Sequence, residues 1–249
     1  MSDHNQAQFK TTQWQIVHEA GRGGSNSLDK LCQTYWKPLY FYLRRKGHGV
    51  EEAQDLTQSF IVHMLAGDLL STADASRGRF RSYLLTSLHR FTINQWRKEI
   101  SAKRGGEARV MNLDFGTAET ELKSAQWQDQ TPQRVYERQW ALEVIHVATN
   151  RVRSDAEEKR KLELFDALLP RLRLDSDAVT YDELSQEMNM TVDALKMAAS
   201  RFREKLRTAI RQVLRETIAP DESVDDEVAS LFAALRGGES TPIHPEESI

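Results

Sequence analysis

The sequence predicts an all-α fold built from two small helical domains. Three observations predict it. Apolar residues recur at three- and four-residue spacing along most of the chain, and strand-like alternation is almost absent. The prolines Pro38, Pro132, Pro170, Pro220, Pro242 and Pro245 sit where periodic segments are expected to begin or end. A polar stretch holding Gly105, Gly106 and Gly116 then interrupts the pattern near the middle. At 249 residues and 39% hydrophobic, the chain fills two small cores more readily than one large one.

The elements follow in order. "LDKLCQTYWKPLYFYLRR" reads as a buried helix or helix pair, with Leu28, Leu31, Tyr35 and Leu39 on one face. "EEAQDLTQSFIVHMLAG" is the next helix, with Ala53, Leu56, Phe60 and Met64 as its apolar face and Gly67 as its stop. "GRFRSYLLTSLHRFTINQWRKEI" is the third; Phe80, Leu84, Leu88, Phe91 and Trp96 form a stripe beside the arginines. Together they predict one domain over residues 10–103. Residues 104–131 read as a flexible linker. Helices resume at "PQRVYERQWALEVIHVATNRVR" and "EEKRKLELFDALLP", opening a second domain over residues 132–216.

The second domain carries the sharpest local signal. In "TYDELSQEMNMTVDALKMAASRF", Thr180 and Glu183 fit a capping box. Asn189 suits the left-handed residue of a tight turn, and Thr191 can cap the following helix. Two short helices joined this way make a helix-turn-helix. Leu184, Met188, Leu195, Ala199, Phe202 and Leu206 supply its inward stripe, and Ser185 is small enough for close approach. Beyond it, residues 217–249 form an acidic extension. There "SVDDEVASLFAALRGG" predicts an amphipathic helix capped by Ser223 and Asp226. Its stripe is Val224, Val228, Leu231, Phe232 and Leu235, and Gly237 ends it. The last residues, "ESTPIHPEESI", are expected to be disordered.

The charge is unevenly spread. Residues 77–104 hold eight Lys or Arg against Glu99 alone. Residues 191–215 hold seven against Asp193 and Glu204. From Thr217 onward eight acids face only Arg236. Two basic blocks and an acidic tail thus hide inside a net charge of −3.

Several function classes fall away. No apolar run approaches the roughly 20 residues that span a membrane, and the N-terminus lacks the features of a signal peptide. The lone Cys32 rules out an internal disulfide and fits a reducing cytoplasm. One cysteine and seven scattered histidines give no metal-ligand spacing, so neither metal nor cofactor is expected. "GRGGSNS" lacks the lysine and spacing of a phosphate-binding loop, and no nucleophile-base constellation is visible, so no enzyme is expected.

The basic blocks point to nucleic acid. Asp193, Lys196, Met197 and Ser200 project from the first turns of the second helix, where base edges would lie. Arg201, Arg203, Lys205 and Arg207 lie further along, where phosphates would lie. The plainer reading is a solvated basic helix. The first block interleaves Arg with Phe and Trp, which suits single-stranded or melted DNA. Helical spacing still assigns most of Phe80, Phe91 and Trp96 to the core.

Three segments resemble, in order, the motifs of bacterial extracytoplasmic-function (ECF) sigma factors. "EEAQDLTQSFIVHML" resembles their region 2.2, "FRSYLLTSLHRFTINQWRK" the segment that follows it, and "TYDELSQEMNMTVDALKMAASRFREKLR" their region 4 helix-turn-helix. The likeness covers residues 25–215. "FKTTQW" and the tail helix resemble extensions of some branches, including planctomycete-type ones. The resemblance implies a cytoplasmic factor that binds core RNA polymerase through the clamp helices of its largest subunit. Asp55, Leu56 and Gln58 would face the polymerase. Arg81, Arg90, Asn94 and Arg97 would meet the melted minus-10 strand. Lys196, Met197, Ser200, Arg201 and Arg203 would read minus-35 as duplex.

Departures from the family open further questions. Gln54 and Ser59 stand where acids are frequent, Met197 where Ser is frequent and Ala198 where Arg is. Phosphorylation of Thr57 or Ser59 by a Ser/Thr kinase would restore the charge; ordinary polar surface is the alternative. An anti-sigma protein is another possible controller. The tail helix would either dock on the second domain and cover its basic helix, or simply stabilise the fold. Two other readings stay open: a helix-turn-helix regulator acting without polymerase, and a sigma-like decoy that has lost promoter activity.

Overall fold

The structure is a computed structural model, and it describes residues 25–65, 79–99, 113–123, 130–172, 179–216 and 223–236. Every regular element among these is an α-helix. The "FKTTQW" segment, Gly67, Gly105, Gly106, Gly237 and the last residues lie outside them, as do the side chains of Leu28, Trp96 and Arg97. Among the described residues no helix is long and apolar enough to cross a membrane, and no acid, His and Cys cluster could hold a metal. The chain divides into two compact units, residues 1–143 with 214–249, and residues 144–213.

The first unit opens with α1, Ser25–Arg45. It is one helix, and Pro38 lies inside it. Proline removes one backbone donor. Here its ring is buried, and Tyr35, Leu39, Tyr40, Phe41 and Leu43 around it are buried too, so packing outweighs the lost bond. After Gly47, which takes the positive φ that ends the turn (101°), comes α2, Val50–Leu65. It buries Ala53, Thr57, Phe60, Ile61 and Met64 on one stripe. Next, α3, Phe80–Glu99, buries Phe80, Leu84, Leu85 and Leu88. The Phe80 ring meets Tyr35 edge-on at 5.4 Å, tying α3 to α1.

The expected linker contains a helix of its own. Helix α4, Phe115–Leu122, begins where the Asp114 carboxylate accepts from the Thr117 N–H at 3.0 Å. Phe115 packs edge-on against Trp36 and Tyr40 at 5.3 and 5.0 Å. Glu119 accepts from the Tyr40 hydroxyl at 2.7 Å and from the Arg44 Nη2 at 2.8 Å. Two aromatic contacts and a carboxylate network thus bind 113–123 to α1, which the glycine content did not foretell.

The division between the two units falls inside one helix. Helix α5, Pro132–Glu158, supplies Val135, Tyr136 and Trp140 to the core of the first unit, and its later turns belong to the second. Tyr136 donates to the Arg81 carbonyl at 2.9 Å, which fastens α5 to the first turn of α3.

The second unit buries Val144, Ala148, Val152 and Ala156 of α5. Arg160 at φ 54° turns the chain into α6, Leu162–Leu172, which contains Pro170 rather than ending before it. Helix α7, Tyr181–Glu187, carries the complete capping box of Thr180 and Glu183. Asn189 adopts φ 50°, the left-handed turn residue expected of it. Thr191 then accepts from the Ala194 N–H at 3.2 Å and starts α8, Val192–Arg215. Leu184, Leu195, Ala199 and Phe202 are buried, and Phe202 meets Phe165 of α6 edge-on at 5.1 Å.

Helix α9, Val224–Arg236, belongs to the first unit. Ser223 caps it, accepting from the Asp226 N–H at 3.3 Å. Its buried face is Val224, Glu227, Leu231 and Ala234. Phe232, expected inside, is 45% exposed. The face is rotated because an acid, Glu227, takes a core position and finds a cation there.

Candidate nucleic-acid interface

One face of α3 builds the most informative site. Tyr83, Ser87, Arg90, Phe91, Asn94 and Gln95, with His63 from α2, line an open cavity of about 290 Å³. The α3 positions recur every three or four residues, so a single helix presents them together. The Phe91 ring stacks on His63 at 5.4 Å and meets Phe60 edge-on at 5.5 Å. Phe60 is fully buried, so the aromatic floor is braced against the core. The cavity therefore combines aromatic faces, amides, hydroxyls and one guanidinium. That is the chemistry of a stacked base with its phosphate.

Of the residues expected at the minus-10 strand, Arg90 and Asn94 line this cavity and are exposed. Arg97 lies three residues further along α3. Arg81 is corrected. Its side chain is 4% exposed, with its guanidinium 4.3 Å from the Trp140 ring centre and paired with the Glu227 carboxylate. Burial lowers its pKa, and the nearby Glu137 opposes that shift. Arg79 flanks the pair, reaching Glu227 at 3.2 Å and donating to Ser230 Oγ at 2.8 Å. Phe91, assigned to the core by its spacing, both packs on the core and lines the cavity. Sequence reasoning also missed Tyr83, Ser87, Gln95 and His63. Their spacing along α3 was readable for the first three, but His63 comes from another helix.

The outer face of α2 presents Glu51, Glu52 and Asp55 to solvent, with Leu56, Gln58 and Ser59 half-buried beside them. His48 pairs with Glu52 at 2.7 Å. Thr57 is corrected: it is fully buried, and its hydroxyl donates to the Ala53 carbonyl at 2.7 Å. A kinase has no access to a hydroxyl in that position, whereas Ser59 keeps partial exposure.

Along α8, Asp193, Lys196, Ser200 and Arg201 are exposed and Met197 is 56% exposed. Arg203 is half-buried. Lys205 pairs with the Asp155 carboxylate of α5 and so braces the unit instead of reaching outward. Hydrogen bonds from Lys159 first, then Lys205, hold the Asp155 pKa below its usual range. Arg207 remains exposed, 3.3 Å from Glu204.

No family model, no curated protein and no solved structure matches this chain.

Proposed function

We propose that this chain is a sigma factor of the extracytoplasmic-function type, which binds core RNA polymerase and directs promoter-specific initiation. The observation that carries the reading is the cavity on α3. It gathers Arg90, Asn94, Tyr83 and Phe91 on one helix whose opposite face is core, beside His63 of α2. Bases can enter such a cavity only when unpaired, so the site serves a melted strand rather than a duplex. In this role Phe91 and His63 stack, Asn94 hydrogen-bonds a base edge and Arg90 holds a phosphate.

The second unit complements it. The capped turn between α7 and α8 leaves Lys196, Met197 and Ser200 outward at the start of α8, with cations Arg201 and Arg203 behind them. That order suits base readout at the helix tip and phosphate contact beyond it. Asp55, Leu56 and Gln58 on the outer face of α2 would contact the clamp helices. The presence of a single-strand cavity favours this role over that of a duplex-only regulator. The factor would act in the cytoplasm, without metal or cofactor.

Run-off transcription tests the proposal: core polymerase with and without the protein, on DNA from upstream of its own gene. A new discrete transcript that is lost with Asp55→Ala is expected. Duplex binding without polymerase co-elution would instead identify a free regulator. Co-elution without any transcript from a promoter library would identify a decoy.

A further inference from the structure

Helix α3 starts without the side chains that usually start a helix. No acid stands in its first turn, and the residue before Phe80 is Arg79, whose side chain has no acceptor for the exposed N–H groups. Arg79 and Arg81 instead set two cations at the end where the helix dipole is already positive. The missing anion comes from α9. Glu227, 3% exposed, contacts both arginines, and Arg79 also donates to Ser230 Oγ at 2.8 Å. Ser230 is itself held, donating to the Asp226 carbonyl at 2.9 Å. The turn fixed in this way carries the first residue of the cavity. The Arg79 carbonyl accepts from the N–H groups of Ser82 and Tyr83 at 3.0 and 3.1 Å. Tyr83 lines the cavity, and its ring lies 6.3 Å from that of the buried Phe80. Arg81 is buried with Leu84, Leu85 and Leu88 on the opposite face of α3. The contact with α9 therefore leaves the cavity open and acts on it only through the start of the helix.

We propose that α9 braces the single-strand site: Glu227 and Ser230 are positioning residues that hold the first turn of α3, and with it Tyr83, in place for a base. The inference rests on reading the α3 cavity as the single-strand surface. It gives the acidic extension beyond the helix-turn-helix a part in the binding carried out by the first unit. Without α9, two like charges stand at a positive helix end with no anion beside them, and the first turn frays. Helix α5 still holds the Arg81 carbonyl through Tyr136 and its guanidinium through Trp140, but it makes no such contact with Arg79. Ser87, Arg90, Phe91 and Asn94 lie at least one turn beyond Tyr83 and keep their places. Loss of the brace therefore removes one wall of the cavity, and only the fraction of molecules with the turn formed binds at full strength.

Two variants of the full chain test this, with a single-stranded oligonucleotide as the probe. Glu227→Gln removes the anion, and the milder Ser230→Ala removes one hydrogen bond to Arg79 and leaves the buried pair intact. Fluorescence anisotropy is expected to show binding weakened roughly tenfold by the first and roughly threefold by the second. Hydrogen exchange of the free protein is expected to accelerate at the Ser82 and Tyr83 amides in both. The decisive comparison repeats Ser230→Ala in a Tyr83→Ala background. There it is expected to cost nothing further, because the residue it positions is gone. Equal weakening in both backgrounds assigns the effect to general stability and overturns the positioning role. Wild-type binding by both brace variants overturns it as well, whatever the exchange shows. If the unaltered chain binds no single strand while exchange at Tyr83 still responds to Ser230→Ala, the reading of α3 fails, and α9 is a brace of the fold alone.

Discussion

Arg81 and Glu227 form a buried ion pair across 146 residues of sequence, with side chains 4% and 3% exposed. Their geometry joins the first turn of α3 to the tail helix, with the Trp140 ring against the guanidinium. Removing one partner strands the other charge in the core. Glu227→Ala is therefore expected to destabilise the first unit by about 3 kcal/mol. Replacing both, as Arg81→Met with Glu227→Leu, is expected to recover most of that loss, because neither charge then needs a partner. Urea unfolding of the four proteins of this double-mutant cycle measures the coupling.

The α3 cavity makes a separate prediction. Phe91→Ala is expected to weaken single-strand binding by about 1–3 kcal/mol and to act on all sequences alike, since every base has a face to stack. Arg90→Ala is expected to lower the salt slope of that binding by about 0.7, the value of one single-strand phosphate. Fluorescence anisotropy over a salt series separates the two effects. Because Phe91 also touches Phe60, its melting curve must accompany the binding data.

On α8 the exposed positions divide by distance from the tip. Lys196→Ala or Ser200→Ala is expected to cost about 1–3 kcal/mol on the best duplex site and to relax preference at one base pair. Arg201→Ala is expected to weaken binding evenly across sequences and to reduce the duplex salt slope by about 1. Lys205→Ala is expected to leave that slope unchanged, since its ammonium is spent on Asp155. A randomised-site selection followed by salt titration of the winners distinguishes these outcomes.

Local chemistry was legible in the sequence wherever partners lie within four residues. The Thr180–Glu183 box, the left-handed Asn189, the Thr191 cap and the Ser223 cap are all of this kind. Arg90 and Asn94 were reachable because one helical face carries them both. Long-range pairing was not legible. Arg81 reads as a surface cation until Glu227 arrives from the far end of the chain, and Phe232 reads as core until that acid takes its place. Similarly, Asp114, Phe115 and Ala118 held a capped apolar turn inside the expected linker, masked by the neighbouring glycines. Pro38 left one helix or a pair open in the sequence; the donor lost to proline is outweighed because Tyr35, Leu39, Tyr40 and Phe41 beside it are buried.

The α1–α4 contact gives the last prediction, and its sign differs at the two ends of the pH scale. Hydrogen bonds from Arg44, then from Tyr40, hold the Glu119 pKa below its usual range, despite the opposing effect of burial. A depressed carboxylate stabilises the fold above its unfolded pKa, and the stabilisation fades as pH falls through the folded pKa. Tyr40 runs the other way. Burial first, then its hydrogen bond to Glu119, raises its pKa to about 12. A raised phenol stabilises the fold below its unfolded pKa, and the gain is lost as pH climbs from about 10 toward that value. Glu119→Gln is expected to flatten the acid limb, whereas Tyr40→Phe is expected to flatten the alkaline limb and leave most of the acid limb in place. Thermal melts from pH 3 to pH 11, followed by circular dichroism, resolve the two limbs. An acid limb equally steep in wild type and Glu119→Gln would show that other carboxylates govern acid unfolding and that the α1–α4 network has no part in it.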